Sequence, residues 1–277
     1  MSKVYEIEGT ITALTPIFHG GDEKTGSTPV LRTIMIYVDG LGEVPIPYLS
    51  GNGVRGKLRR VSMRDFLDLV EYEITNAKLY HSLFSGGVLE STDENTGVID
   101  LELRKRVRDL IIPASIFGCA IGNQMIQGIL ICEHLWPICE EYREYLPEEY
   151  QNDDRTKQPI RVFTDQSFIT RRDDLRVERE DDEQAVQMKV DYECFVPGTK
   201  FYHRFLLQLP TELQKSCFGR VIELFKEIPY IGGRSSSGDG KVKIEYKNVP
   251  DSAMYLEFVQ SKKNEIRDLL KELEERL

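Results

Sequence analysis

Cysteine is scarce in this chain, and its count is odd. Cys119, Cys132, Cys139, Cys194 and Cys217 are scattered through 277 residues, which excludes the paired framework of a small secreted scaffold. No apolar run approaches the roughly 18 residues that span a bilayer. The opening MSKVYEIEG also lacks the apolar core of a signal peptide. We therefore expect a cytoplasmic protein with no membrane partner. Acids are absent from residues 54–64, which hold Arg55, Lys57, Arg59, Arg60 and Arg64, while residues 140–154, EEYREYLPEEYQNDD, hold seven acids and one base. The net charge of −10 opposes indiscriminate nucleic-acid adsorption through the global field. It does not oppose a local anion site.

The hydrophobic content of 40% suits a chain that buries a core. Residues 3–15 alternate apolar and polar at period two, which predicts an opening strand. Residues 30–38, VLRTIMIYV, predict a second strand, followed by the turn Asp39-Gly40 and a rigid segment, VPIPYLS. Beyond Ser50, apolar residues at Val54, Leu58, Val61, Phe66, Leu69 and Val70 predict a helix with an arginine-rich polar side. FYHRFLLQL (201–209) reads as a strand. Thr211 and Gln214 form a capping box ahead of a helix whose apolar face is Leu213, Cys217, Val221, Leu224 and Ile228. A glycine-serine loop, 231–240, leads into the strand KVKIEY, and 253–277 predicts a last helix with Ile266, Leu269, Leu270 and Leu273 inward.

Strand, helix, glycine loop and strand thus occur near both ends. The expected class is α+β, with an RRM/ferredoxin-like (split βαβ) core, an inserted helical and loop region, and a long polar tract that is either disordered or an extended arm ordered by a partner. The core covers 1–74, 114–150 and 196–250. Residues 75–113 are the insertion, 151–195 a polar thumb-like arm and 251–277 a C-terminal helix.

From Gly51 the sequence GNGVRGKL spells a phosphate loop, G-x-x-x-x-G-K, with Leu58 where a magnesium-binding hydroxyl belongs. It follows a proline-rich segment rather than a buried parallel strand, which argues against nucleotide hydrolysis. A glycine turn that opens a helix still offers free amides and a positive dipole end, an anion site. Asn52, Arg55, Lys57, Arg59 and Arg60 are the expected phosphate contacts, Arg55 and Arg59 lying on one helix face. The alternative is a solvated helix face. Gly233, Arg234, Ser235, Ser236 and Gly238 offer a second backbone cradle, or an ordinary connection. His19, Gly20 and Gly21 form a turn where a polyanion passes, although a structural role for His19 is equally open. Arg171, Arg172 and Arg176 line the arm among alternating acids, so internal salt bridges compete. Arg104, Lys105, Arg106 and Arg108 face either nucleic acid or a neighbouring subunit. Cys132, His134 and Cys139 lack a standard zinc spacing. We expect no metal and no cofactor. Aromatics are sparse beside the basic loops, which favours sequence-independent backbone binding.

Three stretches carry a family resemblance. PYLSGNGVRGKLRR resembles the "I-P-G-S-S-L-K-G-x-L-R" segment of the CRISPR-associated RAMP superfamily. IGGRSSSGDGKV resembles its C-terminal "G-G-x-x-x-x-G-x-G-x-V" loop, and LTPIFHGG resembles its first-strand ending, "L-x-S-P-L-H-I-G-G". Together they cover residues 3–60 and 200–246. The layout is similar to the Cas-seven-like backbone subunit, and HSLFSGG (81–87) and ASIFGCAIGN (114–123) resemble its type IV branch. The resemblance implies copies polymerising head to tail along CRISPR RNA. It also implies an extended β-hairpin thumb at 161–192, other effector subunits as partners, and a target nucleic acid paired to the guide. Target-cutting relatives carry an aspartate in "G-x-D-N-P-V-x-R". Here Gly26-Ser-Thr-Pro-Val-Leu-Arg32 places Ser27 or Thr28 at that point, with Asp22 and Glu23 upstream. Neither hydroxyl takes a proton at neutral pH, so the expectation is a non-catalytic binder. The alternative is an endoribonuclease of the same superfamily.

Overall fold

The computed structural model describes residues 3–25, 28–87, 99–172 and 187–277. The chain opens with β1 (Val4–Ala13), whose alternation turns Ile7 and Ile11 fully inward. Two hairpins follow: β2 (Gly20–Thr25) with β3 (Thr28–Leu31), and β4 (Thr33–Val38) with β5 (Gly42–Pro47). Residues 30–38, expected as one strand, are therefore two, broken at Arg32, whose amide donates to the His19 carbonyl at 2.9 Å. The expected rigid segment is largely β5. That strand has a single neighbour, the setting in which Pro45 and Pro47 are tolerated.

Helix α1 (Gly51–Val70) buries Val54, Leu58, Phe66 and Val70 as expected, and Met63 and Leu67 besides. After it come α2 (Ala77–Ser85), α3 (Leu101–Leu110) and α4 (Ile112–Phe117). Asn76 and Asp100 cap α2 and α3 through side-chain oxygens. The short strands β6 (Cys119–Ile121), β7 (Gln124–Ile126), β8 (Leu130–Cys132) and β9 (Trp136–Pro137) lead to α5 (Glu148–Gln151). The arm is β10 (Thr164–Arg172) and β11 (Gln187–Phe195). Then follow β12 (Lys200–Gln208), α6 (Glu212–Glu227), β13 (Val242–Tyr246), α7 (Ala253–Ser261) and α8 (Lys263–Arg276). The Thr211–Gln214 capping box opens α6 as read from the sequence. The single C-terminal helix is instead two, divided at Lys262.

The central sheet runs β13–β1–β12–β8, with β9 also on β12, and its paired strands are antiparallel. Ile7 stands opposite Phe205 and Ile11 opposite Phe201. These four side chains share one core cluster with Leu58 and Phe66 of α1 and Phe218, Val221 and Phe225 of α6. The architecture is α+β. No helix among the described residues is long and apolar enough to cross a membrane.

Two expected boundaries shift. Residues 75–113, read as an insertion outside the core, place Leu79, Leu83, Leu103, Val107, Ile111 and Ile112 in the main cluster. Apolar residues at helical spacing were masked in the sequence by the polar stretch beside them. The arm begins at 164 rather than 151, because Ile138, Cys139, Tyr142, Leu146, Phe163 and Tyr202 form a second small core. Its register runs from Thr164 opposite Phe195 to Arg172 opposite Gln187, a reach of about 27 Å at strand rise. Arg176, expected on the arm, lies outside the described residues.

Candidate nucleic-acid interface

The first glycine of the sequence motif answers to packing. A Cβ on Gly51 would sit 2.1 Å from the Glu133 carbonyl oxygen and 2.4 Å from that of Cys132. Only glycine lets the start of α1 rest on the backbone that follows β8. The helix has no side-chain cap and no acid in its first turn. Instead two imidazoles accept from its leading amides: His19 Nε2 from Ser50 N and His134 Nδ1 from Gly51 N, each at 3.1 Å. Burial first, and then the Arg32 charge, hold both histidines below the usual imidazole pKa. They therefore sit at the positive helix end as neutral acceptors, which leaves its dipole uncompensated.

Past these caps the helix surface is bare. An added Cβ at Gly53 would meet only His19 at 3.9 Å, and one at Gly56 only Arg60 at 3.5 Å. With Asn52, Arg55, Arg59 and Arg60, and with residues 84–87 at the end of α2, these glycines line a pocket of about 590 Å³. No acid is among its described lining residues. Arg55 and Arg59 each donate one Nη2 to the Phe117 carbonyl, at 2.7 and 2.6 Å, satisfying an orphan acceptor at the end of α4. Their Nε atoms are buried without a partner. Burial and the neighbouring Arg55 charge both lower the Arg59 pKa, the mark of two like charges held together. Arg60 is exposed.

Lys57 points elsewhere. Its Nζ donates to the carbonyls of Ile228, at 2.8 Å, and of Tyr230, and lies over the Phe225 ring. Burial, with help from Arg60, pulls its pKa down to about 8. The expected phosphate lysine is thus turned to the opposite flank of α1, where it clasps the end of α6. An i, i+2 offset from Arg55 on a helix could have shown this, since such residues do not share a face.

The second glycine loop lies beside the first. Gly233 N donates to Phe18 O at 2.8 Å, and His19, the next residue, reaches Ser50. Phe18 and His19 therefore join the two loops. Gly232 has φ +79, and its Cβ would fall 2.5 Å from Phe18 O. Arg234 lies over two rings, 4.0 Å from the Tyr192 centroid and 4.7 Å from that of Phe18, with one buried unpartnered Nη1. Tyr192 in turn donates to Asp239 at 2.7 Å, so Arg234 ties the loop to the root of the arm. Ser235, Ser236 and Gly238 form an exposed outer bend. Gly20 and Gly21 open β2 beside Phe18 and Arg32. Arg171 and Arg172 lie at the far end of the described arm, apart from this cluster.

Sequence reasoning gave no role to Tyr48 and Trp136, named His134 only as a zinc ligand without a standard spacing, and named Arg32 only as the end of the stretch that resembles the cutting loop. Tyr48 stacks on Trp136 with centroids 5.4 Å apart and meets the His134 ring at 4.8 Å, while His134 and Trp136 also touch edge to face at 5.7 Å, so the three rings form a triangle. The His-x-Trp spacing was the available signal, since it sets both rings on one face of an extended segment. Tyr48 and Arg32 join them only through the fold.

In sequence the chain matches no family model and no curated protein. In structure it is similar to a chain from a solved structure named "Type IV-B CRISPR Complex". The two are 22% identical, with a TM-score of 0.63, and the match covers 88% of this chain and 91% of that one. The chain therefore has the fold of a protein from a type IV CRISPR complex, the branch its sequence motifs resemble.

Proposed function

We propose that this chain is a CRISPR effector backbone subunit that grips guide RNA through its phosphates, lines up with copies of itself in a helical filament, and does not cut. The observation that carries this reading is the pocket on the bare face of α1, where Arg55, Arg59 and exposed Arg60 meet with no acid among the described lining residues. The Nε atoms of Arg55 and Arg59 are buried without a partner. Desolvated guanidinium N–H groups are costly unless an acceptor arrives, and a phosphodiester is a matched acceptor. The likeness to a chain of a CRISPR complex favours that polyanion over a free nucleotide. Sheet order supports a split βαβ, ferredoxin-like core: numbered along the chain, β1, β8, β12 and β13 lie in the order fourth, first, third, second.

In this reading the two glycine loops hold consecutive phosphates, and the β10–β11 arm lies over guide held by the adjoining copy. Other effector subunits and the paired target complete the assembly, in the cytoplasm. A non-cutting role follows from Thr28 and Ser27 where a catalytic carboxylate is needed. Titrating RNA against salt tests the site. Arg60→Ala should lower the slope of log affinity against log salt by about one, with the fold intact because Arg60 is exposed. An unchanged slope would remove the pocket from the interface. Magnesium-dependent cuts in labelled guide or target RNA, abolished by changing Asp22 or His19, would replace this reading with the nuclease one.

A further inference from the structure

We propose that two surface patches at opposite ends of β12 join successive copies of this chain head to tail, an inference that rests on the self-assembly part of the reading above. At the Gln208 end, α3 and the start of α6 enclose a pocket of about 880 Å³. Its rim carries Leu101 and Leu209, each 73% exposed, together with Lys105 and Arg108. Neither cation is in an ion pair among the described residues, and one acid, Asp109, shares the lining. Leu209 has φ +47, a left-handed conformation that a leucine adopts only at a cost. Its amide is held to Lys3 O at 2.7 Å. The backbone thus holds an apolar side chain out to solvent in a strained conformation.

At the Lys200 end the sign reverses. Ile138 N donates to Lys200 O at 2.8 Å, which fixes the following acidic stretch against the start of β12. There Tyr145, 52% exposed, donates its hydroxyl to the carbonyl of Tyr37, itself 62% exposed. Trp136, Tyr142 and Tyr145 form a stacked column behind it. Glu140 and Glu144 are exposed and in no ion pair among the described residues. Each patch has an apolar centre with a charged border, the anatomy of a protein interface, and the borders are opposite in sign.

The occupant that fits is therefore a second copy. Nine residues of β12 separate the patches, about 27 Å at strand rise, so one molecule cannot close them on itself. Heterologous contacts of this kind extend into filaments. RNA suits the basic patch less well: solvent-exposed leucines and Asp109 offer a phosphate nothing, and the arginine pocket lies at the other end of α4.

Charge reversal with rescue tests the pairing. Lys105→Glu with Arg108→Glu, and separately Glu140→Lys with Glu144→Lys, should each weaken self-association by at least about tenfold. Sedimentation would follow this with and without long oligo-uridine. Mixing the two variants, or combining all four changes in one chain, should restore it, which a folding defect would not. Binding of an oligo-uridine long enough for one copy should be unchanged. Assembly indifferent to the reversals, wild-type protein that stays monomeric on long oligo-uridine, or a loss confined to the short oligo-uridine would each overturn the proposal. Wild-type protein that fails to bind RNA yet associates in a reversal-sensitive way would instead count against the RNA reading and uphold the patches.

Discussion

Gly53 and Gly56 lie inside a helix without any packing need for the missing side chain. Each glycine costs an exposed helix about 0.5–1 kcal/mol relative to alanine, so the chain carries two destabilising residues on the face that lines the arginine pocket. Gly53→Ala and Gly56→Ala should each raise the unfolding free energy by about that amount and weaken RNA binding by excluding the backbone of the ligand. Paired urea melts and binding curves check this; stabilisation with undiminished affinity would assign the bare face no role. A second residue-scale consequence concerns His203. It is fully buried, bonded to the Tyr246 hydroxyl at 2.6 Å and to Glu133 O at 3.1 Å, and burial lowers its pKa to about 3. Unfolded chains take up that proton near pH 6.5, folded ones do not, so its contribution is complete above about pH 6.5 and declines as the pH falls towards about 3. The loss is about 1.4 kcal/mol per pH unit from this residue alone. Urea midpoints between about pH 7 and about pH 4 should fall more gently for His203→Asn than for the wild type. His19 and His134, also lowered, contribute to the slope of both proteins.

At the scale of elements, the arm is nearly independent. Among the described residues only its root is buried, through Tyr192, Cys194 and Phe195, while Phe168 is 59% exposed under Lys189. Replacing residues 168–191 by an Asn-Gly turn should leave stability within about 1 kcal/mol of wild type while altering how many copies load on a long RNA. A large loss of stability would mean that the arm is part of the core. Elements were also what the sequence displayed best. The period-two pattern of β1, the Leu213, Cys217, Val221 and Leu224 steps of α6 and the Thr211–Gln214 box are local and appear where they were read, whereas Ile228, expected on the same apolar face, caps the helix end and is exposed. The pairing of Lys57 with the end of α6, the sharing of Phe117 O by Arg55 and Arg59, and the imidazole caps join residues far apart in sequence. No periodicity reports such contacts. Hence the basic cluster was legible while its division into a clasp and a pocket was not.

For the whole molecule, the helices of 75–113 and the central sheet share one core cluster, and a smaller one flanks it. The single tryptophan, Trp136, packs against that second cluster, whereas helical ellipticity reports on the first. The two clusters meet through β12, which bears both Tyr202 and Phe201. We expect tryptophan fluorescence and ellipticity to trace one coincident urea transition. Separate midpoints would mean that 138–163 unfolds on its own.

Two guanidiniums that converge on the Phe117 carbonyl keep like charges close together. A polyanion bound as proposed would relieve that repulsion at the joint between α1 and α4. If the proposed function holds, loading and scaffold rigidity are thermodynamically linked, and the unloaded subunit is expected to be the looser form. Proteolysis or amide exchange around residues 112–117 would register loading without any label on the RNA.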